Sequence, residues 1–253
     1  MRTQRGIRLP ALIAGLAGVL IALVPTPACG ADTDEPETVV LLHGLGRTAR
    51  SMRPMARALS EAGFEVHNLD YESRHHELGE LTAQLDSQLE ACCQARRGRL
   101  HFVTHSMGGI LLRSYLETHE LPQLGRVVML SPPNQGSELI DELADEPVFT
   151  DVIGPAGSQL GTGPESQPNQ LGPVDFELGV ITGDRSANPW FSWLIPGPDD
   201  GKVSVERAKV VGMRDFLVVP YTHTFIMGKD LVARQVIAFL RHGRFEPMAN
   251  SQD

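Results

Sequence analysis

Apolar residues along this chain follow two alternating patterns, short continuous runs and longer stretches with helical spacing. A short continuous apolar run is typical of a strand that is buried on both faces. The runs predict six such strands, at residues 38–42, 64–69, 100–103, 126–130, 178–182 and 216–219. We take these strands as the framework of the fold.

Between the predicted strands, apolar residues recur at the spacing of an amphipathic helix. Met52, Met55 and Leu59 share one helix face, and Gly63 follows where a left-handed residue commonly ends a helix. The pattern predicts helices at 50–62, 78–96, 107–117 and 229–241. Strands that alternate with helices imply an α/β fold, with a mostly parallel central sheet and helices on both faces. Functional residues in such sheets lie at the carboxyl ends of the strands.

The alternation fails between residues 133 and 175. Helical spacing at 137–144 precedes a glycine- and proline-rich stretch at 154–173, and we interpret the whole as a cap or lid insertion. The catalytic domain is predicted to span 38–243, with a C-terminal tail at 244–253. Apolar residues of the insertion either shield an acyl pocket or only pack the lid onto the sheet, and the sequence favours neither. They are Leu139, Ile140, Leu143, Val148, Phe149, Val152 and Ile153.

The first 31 residues resemble a signal peptide. Arg2, Arg5 and Arg8 precede an apolar stretch at 9–24, and small residues follow it at 28–31. The stretch is shorter than the roughly 20 residues that cross a bilayer, so we expect export, to the periplasm or medium, with cleavage near 28–31. The alternative is a retained N-terminal anchor or peripheral membrane association. Residues 32–37 form an acidic linker.

Charge and cysteine content narrow the function classes. The net charge of −9 makes nucleic acid an unsuitable partner, because phosphate groups need a basic surface. No metal site is expected, since His75, His76 and Glu77 are neighbours along the chain and do not converge on one ion. Cys92 and Cys93 are adjacent, so no disulfide is expected, and Cys92 is assigned to core packing.

Ser106 is the candidate nucleophile. It lies between the apolar run 100–103 and a predicted helix, within Thr-His-Ser-Met-Gly-Gly at 104–109. A sharp strand-to-helix turn lifts the hydroxyl of such a serine clear of the sheet and needs small residues beside it, a requirement that Gly108 meets. The usual pattern is G-x-S-x-G, and Thr104 replaces its first glycine.

A serine hydroxyl needs a base, and the base needs an acid that orients it. His223 follows the last predicted strand and is the expected base, whereas His105 points to the other side of the turn and is assigned a structural role. The acid is expected after the fifth strand, where Asp184, Asp199 and Asp200 compete. We favour Asp200, in the turn Asp-Gly-Lys-Val, and keep Asp184 as the alternative acid.

The oxyanion of an ester-cleaving serine is stabilised by two backbone N–H groups. Met107 follows the nucleophile and is one expected donor. The loop after the first strand reads His43-Gly44-Leu45-Gly46, with glycines that permit a close backbone approach, and Leu45 is the second expected donor.

In order and spacing, these motifs resemble the α/β-hydrolase superfamily, most closely its bacterial lipase and esterase branch. The resemblance implies an eight-stranded fold trimmed at its first strands, the triad Ser106, Asp200 and His223, and no cofactor. Residues 132–137 resemble the Pro-His-x-Gly-Ser segment of many such lipases, with Asn134-Gln135 in place of His-x.

The expected function is hydrolysis of a small-molecule or lipid carboxylic ester through an acyl-enzyme on Ser106. Acyl transfer or thioester hydrolysis would use the same triad. A hydrolase fold that has lost catalysis and only binds its ligand is the alternative from another class.

Overall fold

The computed structural model describes residues 36–93 and 98–248. Within this part, six strands form one sheet, and every pairing in it is parallel. The strands are β1 (Thr38–Leu42), β2 (Glu65–Leu69), β3 (Leu100–His105), β4 (Leu124–Leu130), β5 (Leu178–Gly183) and β6 (Asp215–Val219). Their spatial order is β2-β1-β3-β4-β5-β6. The α/β fold class predicted from the apolar runs is confirmed, and each predicted strand agrees with an observed one to within two residues at either end.

Helices cover both faces of the sheet. The elements are α1 (Arg53–Glu61), α2 (Leu78–Cys93), α3 (Met107–Thr118), α4 (Glu138–Glu142), α5 (Pro147–Ser158), α6 (Gln167–Gln170), α7 (Pro189–Leu194) and α8 (Asp230–His242). Val40 and Leu42 of β1 face one core with α2 and α3, whereas Val39 and Leu41 face the other core with α1 and α8. Burial of alternate residues on opposite faces explains why the strand is apolar throughout.

The insertion between β4 and β5 contains three short helices. Helix α5 extends to Ser158 across a kink at Gly154, where φ is 66°, so the first five residues of the glycine- and proline-rich stretch 154–173 lie within this helix. Proline is accepted there because Pro155 follows the kink and begins a new helical segment. The rest of that stretch is loop except for the single turn of α6.

The cysteine expectations need correction. Cys92 and Cys93 are joined by a disulfide at the end of α2. Cys93 is the residue buried in the core, at 2% exposure, and Cys92 is only partly buried. The reason is helical geometry, because Cys93 lies four residues after Leu89 on the buried face.

The predicted signal peptide and its membrane-anchor alternative lie outside the described residues. Among the residues that are described, no helix combines the length and apolar character that crossing a bilayer requires.

Candidate active site

Ser106 lies at the turn between β3 and α3, at the carboxyl edge of the sheet. Its backbone has φ 53° and ψ −125°, a conformation that non-glycine residues rarely adopt. The turn is fixed on both sides, since the Ser106 amide donates to the Leu130 carbonyl at 2.8 Å and the Ser106 carbonyl accepts from Gly109 at 2.9 Å. This strained turn holds the hydroxyl above the strand ends.

Two glycines after Ser106 allow neighbouring segments to pack closely against this turn. A Cβ on Gly108 would lie 2.6 Å from the His43 carbonyl oxygen, so the start of α3 touches the end of β1. A Cβ on Gly109 would lie 3.2 Å from Thr104 Oγ1. The threonine that replaces the first glycine of the usual pattern is therefore accommodated by the second glycine of the pair, Gly109, rather than by Gly108.

Ser106, His223 and Asp200 form a line of hydrogen bonds. Ser106 Oγ lies 2.9 Å from His223 Nε2, and His223 Nδ1 lies 2.9 Å from Asp200 Oδ2. Asp200 and His223 are 1% and 4% exposed, and water therefore has little access to the pair. The three residues come from the turns after β3, β5 and β6, whose carboxyl ends meet at one edge of the sheet.

Asp200 is held in place by its own turn. Its Oδ1 accepts the amides of Lys202 at 3.0 Å and Val203 at 2.9 Å, and its carbonyl accepts the His223 amide at 2.9 Å. Asp184 lies directly after β5, where its carboxylate contacts Arg185 at 3.5 Å. Asp199 Oδ1 accepts from Ser192 Oγ at 2.9 Å and from the Gly201 amide at 2.7 Å. Of the three candidate acids, the structure therefore brings Asp200 to the histidine.

His105 forms a hydrogen bond with the backbone of His223. Its Nε2 lies 3.0 Å from the His223 carbonyl oxygen, which only accepts, so the Nε2–H donates. Burial, and secondarily the nearby His223, lower the pKa of His105 well below its ordinary value. His105 is thus a neutral imidazole that holds the His223 backbone and does not touch the hydroxyl of Ser106.

The loop after β1 approaches Ser106 closely. A Cβ on Gly44 would lie 2.8 Å from His105 Nδ1 and 3.1 Å from Ser106 Cβ, so a larger residue would displace the side chains around the serine. Among the described residues, no acceptor is paired with the amide N–H of Leu45 or of Met107. One of these unpaired donors belongs to the loop that approaches Ser106, and the other to the first residue of α3.

The direction of the Leu45 amide is set by its neighbour in the same peptide, the Gly44 carbonyl. That oxygen accepts from His43 Nδ1 at 2.9 Å and from the Arg47 amide at 3.2 Å. Because a trans peptide aims its N–H opposite to its C=O, fixing the carbonyl also fixes the Leu45 donor. Gly46 is held in turn, with its amide 3.0 Å from Ser73 Oγ.

Tyr71 was not anticipated from the sequence and belongs to this support. Its ring stacks on His43 with centroids 4.1 Å apart, its amide donates to His43 Nε2 at 3.3 Å, and its hydroxyl donates to the His43 carbonyl. Burial lowers the pKa of His43, although its contact with the Gly44 carbonyl and the Asp70 carboxylate, 3.0 Å from Nε2, act in the opposite direction. No local sequence pattern links residues 43 and 71.

A cavity of about 310 Å³ opens on Ser106 and His223. Its wall is predominantly apolar and is built largely by the insertion. Five of the seven apolar insertion residues named from the sequence line it, namely Leu139, Ile140, Phe149, Val152 and Ile153. Val148 instead points to solvent with 78% exposure. Phe191 of α7 also lines the cavity and was not anticipated.

Asn134 and Gln135 fix the start of the insertion. Asn134 Nδ2 donates to the Ala208 carbonyl at 2.9 Å, and Gln135 Nε2 donates to the Lys209 carbonyl at 3.1 Å. Arg113 of α3 donates to the Asn134 carbonyl and to the carbonyls of Leu171 and Gly172, each at 3.0 Å. One buried guanidinium therefore joins both ends of the insertion to the helix behind Ser106.

Comparison with known proteins agrees with this architecture. The family model of palmitoyl protein thioesterase matches residues 38–162, just under half of the chain. No curated protein sequence matches the chain. The mature Bacillus licheniformis lipase BlEst2 has a TM-score of 0.68 at 18% identity, with 83% of this chain and 94% of that chain covered.

Two further solved structures have the same fold. Phospholipase PlaB from Legionella pneumophila has a TM-score of 0.63 at 17% identity, with 80% of this chain covered but only 57% of PlaB. Paleococcus ferrophilus monoacylglycerol lipase has a TM-score of 0.54 at 17% identity, with 81% of this chain and 94% of that chain covered. The resemblance to the superfamily stated from the sequence motifs is confirmed.

Proposed function

We propose that this chain, an α/β-hydrolase by its fold and by the family model that it matches, cleaves carboxylic esters through an acyl-enzyme on Ser106. The observation that supports the proposal most is the pair of 2.9 Å hydrogen bonds that link Ser106 to His223 and His223 to Asp200. Such an arrangement activates a hydroxyl that is otherwise a weak nucleophile at neutral pH.

In the acylation step, Ser106 Oγ attacks the ester carbonyl carbon while His223 Nε2 takes the hydroxyl proton. Asp200 accepts the hydrogen bond from Nδ1–H and stabilises the imidazolium that forms. The carbonyl oxygen becomes an oxyanion between the amides of Leu45 and Met107, both of which lack another acceptor among the described residues. Collapse of the tetrahedral intermediate breaks the C–O bond, and His223 gives its proton to the departing alcohol.

In the deacylation step, water takes the place of the alcohol. His223 removes a proton from the water as its oxygen attacks the acyl carbon, and the second tetrahedral intermediate forms in the same oxyanion site. When it collapses, Ser106 Oγ leaves and regains a proton from His223. The products are a carboxylic acid and the free enzyme.

The apolar wall of the cavity favours an aliphatic acyl group over a polar one, because contact with Leu139, Ile140 and Ile153 removes apolar surface from water. We propose an ester whose acyl chain lies along the insertion. The structurally similar proteins include a lipase and a phospholipase, which supports this substrate class.

A thioester is the second candidate substrate. The match of residues 38–162 to the palmitoyl protein thioesterase model favours it, and the same triad would expel a thiolate instead of an alcohol.

Fluorophosphonate labelling and an ester series test the proposal together. We expect covalent modification at Ser106 and hydrolysis of p-nitrophenyl esters, with rates compared from acetate to palmitate and against the matching thioesters. The Ser106→Ala variant is the control: it should not be labelled, and its kcat should be about 10⁶-fold lower. A folded wild-type protein that neither labels nor turns over any ester would indicate a binding protein with the hydrolase fold.

A further inference from the structure

The charged side chains around the cavity are all of one sign. Arg47 follows the Leu45 loop and Lys202 follows Asp200, and both line the cavity beside Ser106. The lining contains no aspartate or glutamate. The chain as a whole carries a net charge of −9 because acidic residues outnumber basic ones. A cavity lined by two cations and no carboxylate therefore differs from the average composition of the chain.

Neither cation has an ionic partner among the described residues: no carboxylate lies within salt-bridge distance of Arg47 or Lys202. Crowding by protein atoms, and then the positive charge of Arg47, lower the pKa of Lys202, and the nearby charge of Asp200 offsets them only in part. The two like charges are thus close enough to repel each other. Repulsion that no salt bridge relieves costs stability, and such costs concentrate at functional sites.

The backbones of both residues are fixed by polar contacts. The Lys202 amide donates to Asp200 Oδ1 at 3.0 Å, and its carbonyl accepts from Ser137 Oγ at 2.6 Å. The Arg47 amide donates to the Gly44 carbonyl at 3.2 Å, in the turn that also orients Leu45. The cations are therefore attached to the same two turns that hold the acid and the oxyanion donor.

The cavity wall divides by its origin in the chain. The apolar part comes mainly from residues 133–160 of the insertion, and the cationic part comes from the loops after β1 and β5 at the sheet edge. An acyl chain suits the first part. The second part offers two charged donors next to the scissile bond, where an ammonium and a guanidinium bind phosphate or carboxylate oxygens.

We propose that the preferred substrate is an ester whose alcohol carries a negative charge near the scissile bond, and that Arg47 and Lys202 bind this charge. The inference rests on the proposed ester hydrolysis and defines its substrate class. Phosphate and carboxylate share the required chemistry.

Three esters that share an octanoyl group and differ only in the alcohol test the proposal. The alcohols are glycerol 3-phosphate, glycolate and glycerol. We expect wild-type kcat/KM to be at least tenfold higher for an anionic ester than for the neutral glycerol ester. Arg47→Gln and Lys202→Gln should each reduce this ratio about tenfold, the effect of one lost charge-assisted hydrogen bond. Arg57→Gln, at an exposed arginine of α1, is the matched control and should leave the ratio unchanged.

The two anionic esters distinguish a phosphate from a carboxylate, and a preference for either supports the proposal. Equal wild-type kcat/KM for all three esters, or a ratio unaffected by both substitutions, would overturn it while leaving ester hydrolysis intact. If no ester is cleaved, the proposed function fails. A binding measurement then still tests whether the cavity prefers a negatively charged ligand. Calorimetry with Ser106→Ala should then show tighter binding of octyl phosphate than of octanol, and equal binding would refute the inference.

Discussion

The sheet edge and the insertion build the same cavity in different ways. At the edge, backbone hydrogen bonds position Ser106, Asp200 and His223. The insertion contributes apolar side chains such as Ile140 and Val152, whose placement depends on packing rather than on directed bonds. Hydrogen bonds position the reacting atoms with the precision that catalysis requires. An apolar wall requires only side chains of suitable volume and shape. We therefore expect edge mutations to change kcat and insertion mutations to change substrate choice.

The largest expected effect compares the two acids at the sheet edge. Asp200→Asn should lower kcat about 10³- to 10⁴-fold, because the amide cannot stabilise the imidazolium or fix its tautomer. Asp184→Asn is the matched control, at a carboxylate that contacts Arg185 instead, and should change kcat less than about threefold. Steady-state kinetics with one p-nitrophenyl ester measures both. A larger loss at Asp184 would mean that the acid is assigned wrongly.

The next effect tests how the insertion is attached to the edge. Burial lowers the pKa of Arg113 to about 10, so its guanidinium is charged at neutral pH. Arg113→Met removes the donor from the carbonyls of Asn134, Leu171 and Gly172 and should cost about 3 kcal/mol in the free energy of unfolding. Urea titration measures the change, with Arg57→Met at an exposed site as control. Similar urea midpoints for the two variants would show that the hydrogen bonds of Arg113 do not stabilise the insertion.

A smaller effect concerns pH and the buried histidine at the edge. The folded-state pKa of His105 is depressed, so unfolding takes up a proton once the pH falls below the ordinary value of 6.5. The stability that it contributes is present above pH 6.5 and decreases toward the folded pKa, by up to about 1.4 kcal/mol per pH unit. His105→Gln should flatten the fall in unfolding free energy from pH 7 to pH 5, measured by urea titration. His75→Gln, at an exposed histidine, should not.

The smallest expected effect concerns the insertion alone. Val152 and Val148 lie one helical turn apart on α5, with 54% and 78% exposure, and of the two only Val152 lines the cavity. Val152→Trp should narrow the cavity, so that it holds fewer methylene groups of a long acyl chain. The kcat/KM for a decanoate ester should then fall about fivefold relative to that for an acetate ester. Val148→Trp should leave that ratio unchanged. An equal shift in both variants would indicate a general effect of tryptophan on α5 and not a wall contact.

Local patterns predicted much of this molecule. The apolar runs at 38–42 and 178–182 predicted strands that the structure contains, because a strand buried on both faces must be apolar at every position. Predictions were weaker in the insertion, where helix α5 begins with a proline and continues through a second one at Pro155. There the surrounding contacts, such as the Ala156 amide on the His76 carbonyl at 3.1 Å, override local propensity.

The sequence by itself determined the α/β fold and drew attention to Ser106, because both depend on short-range periodicity and on one turn that needs small residues. Only the tertiary structure brought Asp200, and not Asp184, within hydrogen-bond distance of His223. It also joined Tyr71 to His43 and placed Arg47 and Lys202 around one cavity whose lining holds no carboxylate. These relations connect residues far apart in the chain. They arise from where the parallel strands end, which no local pattern encodes.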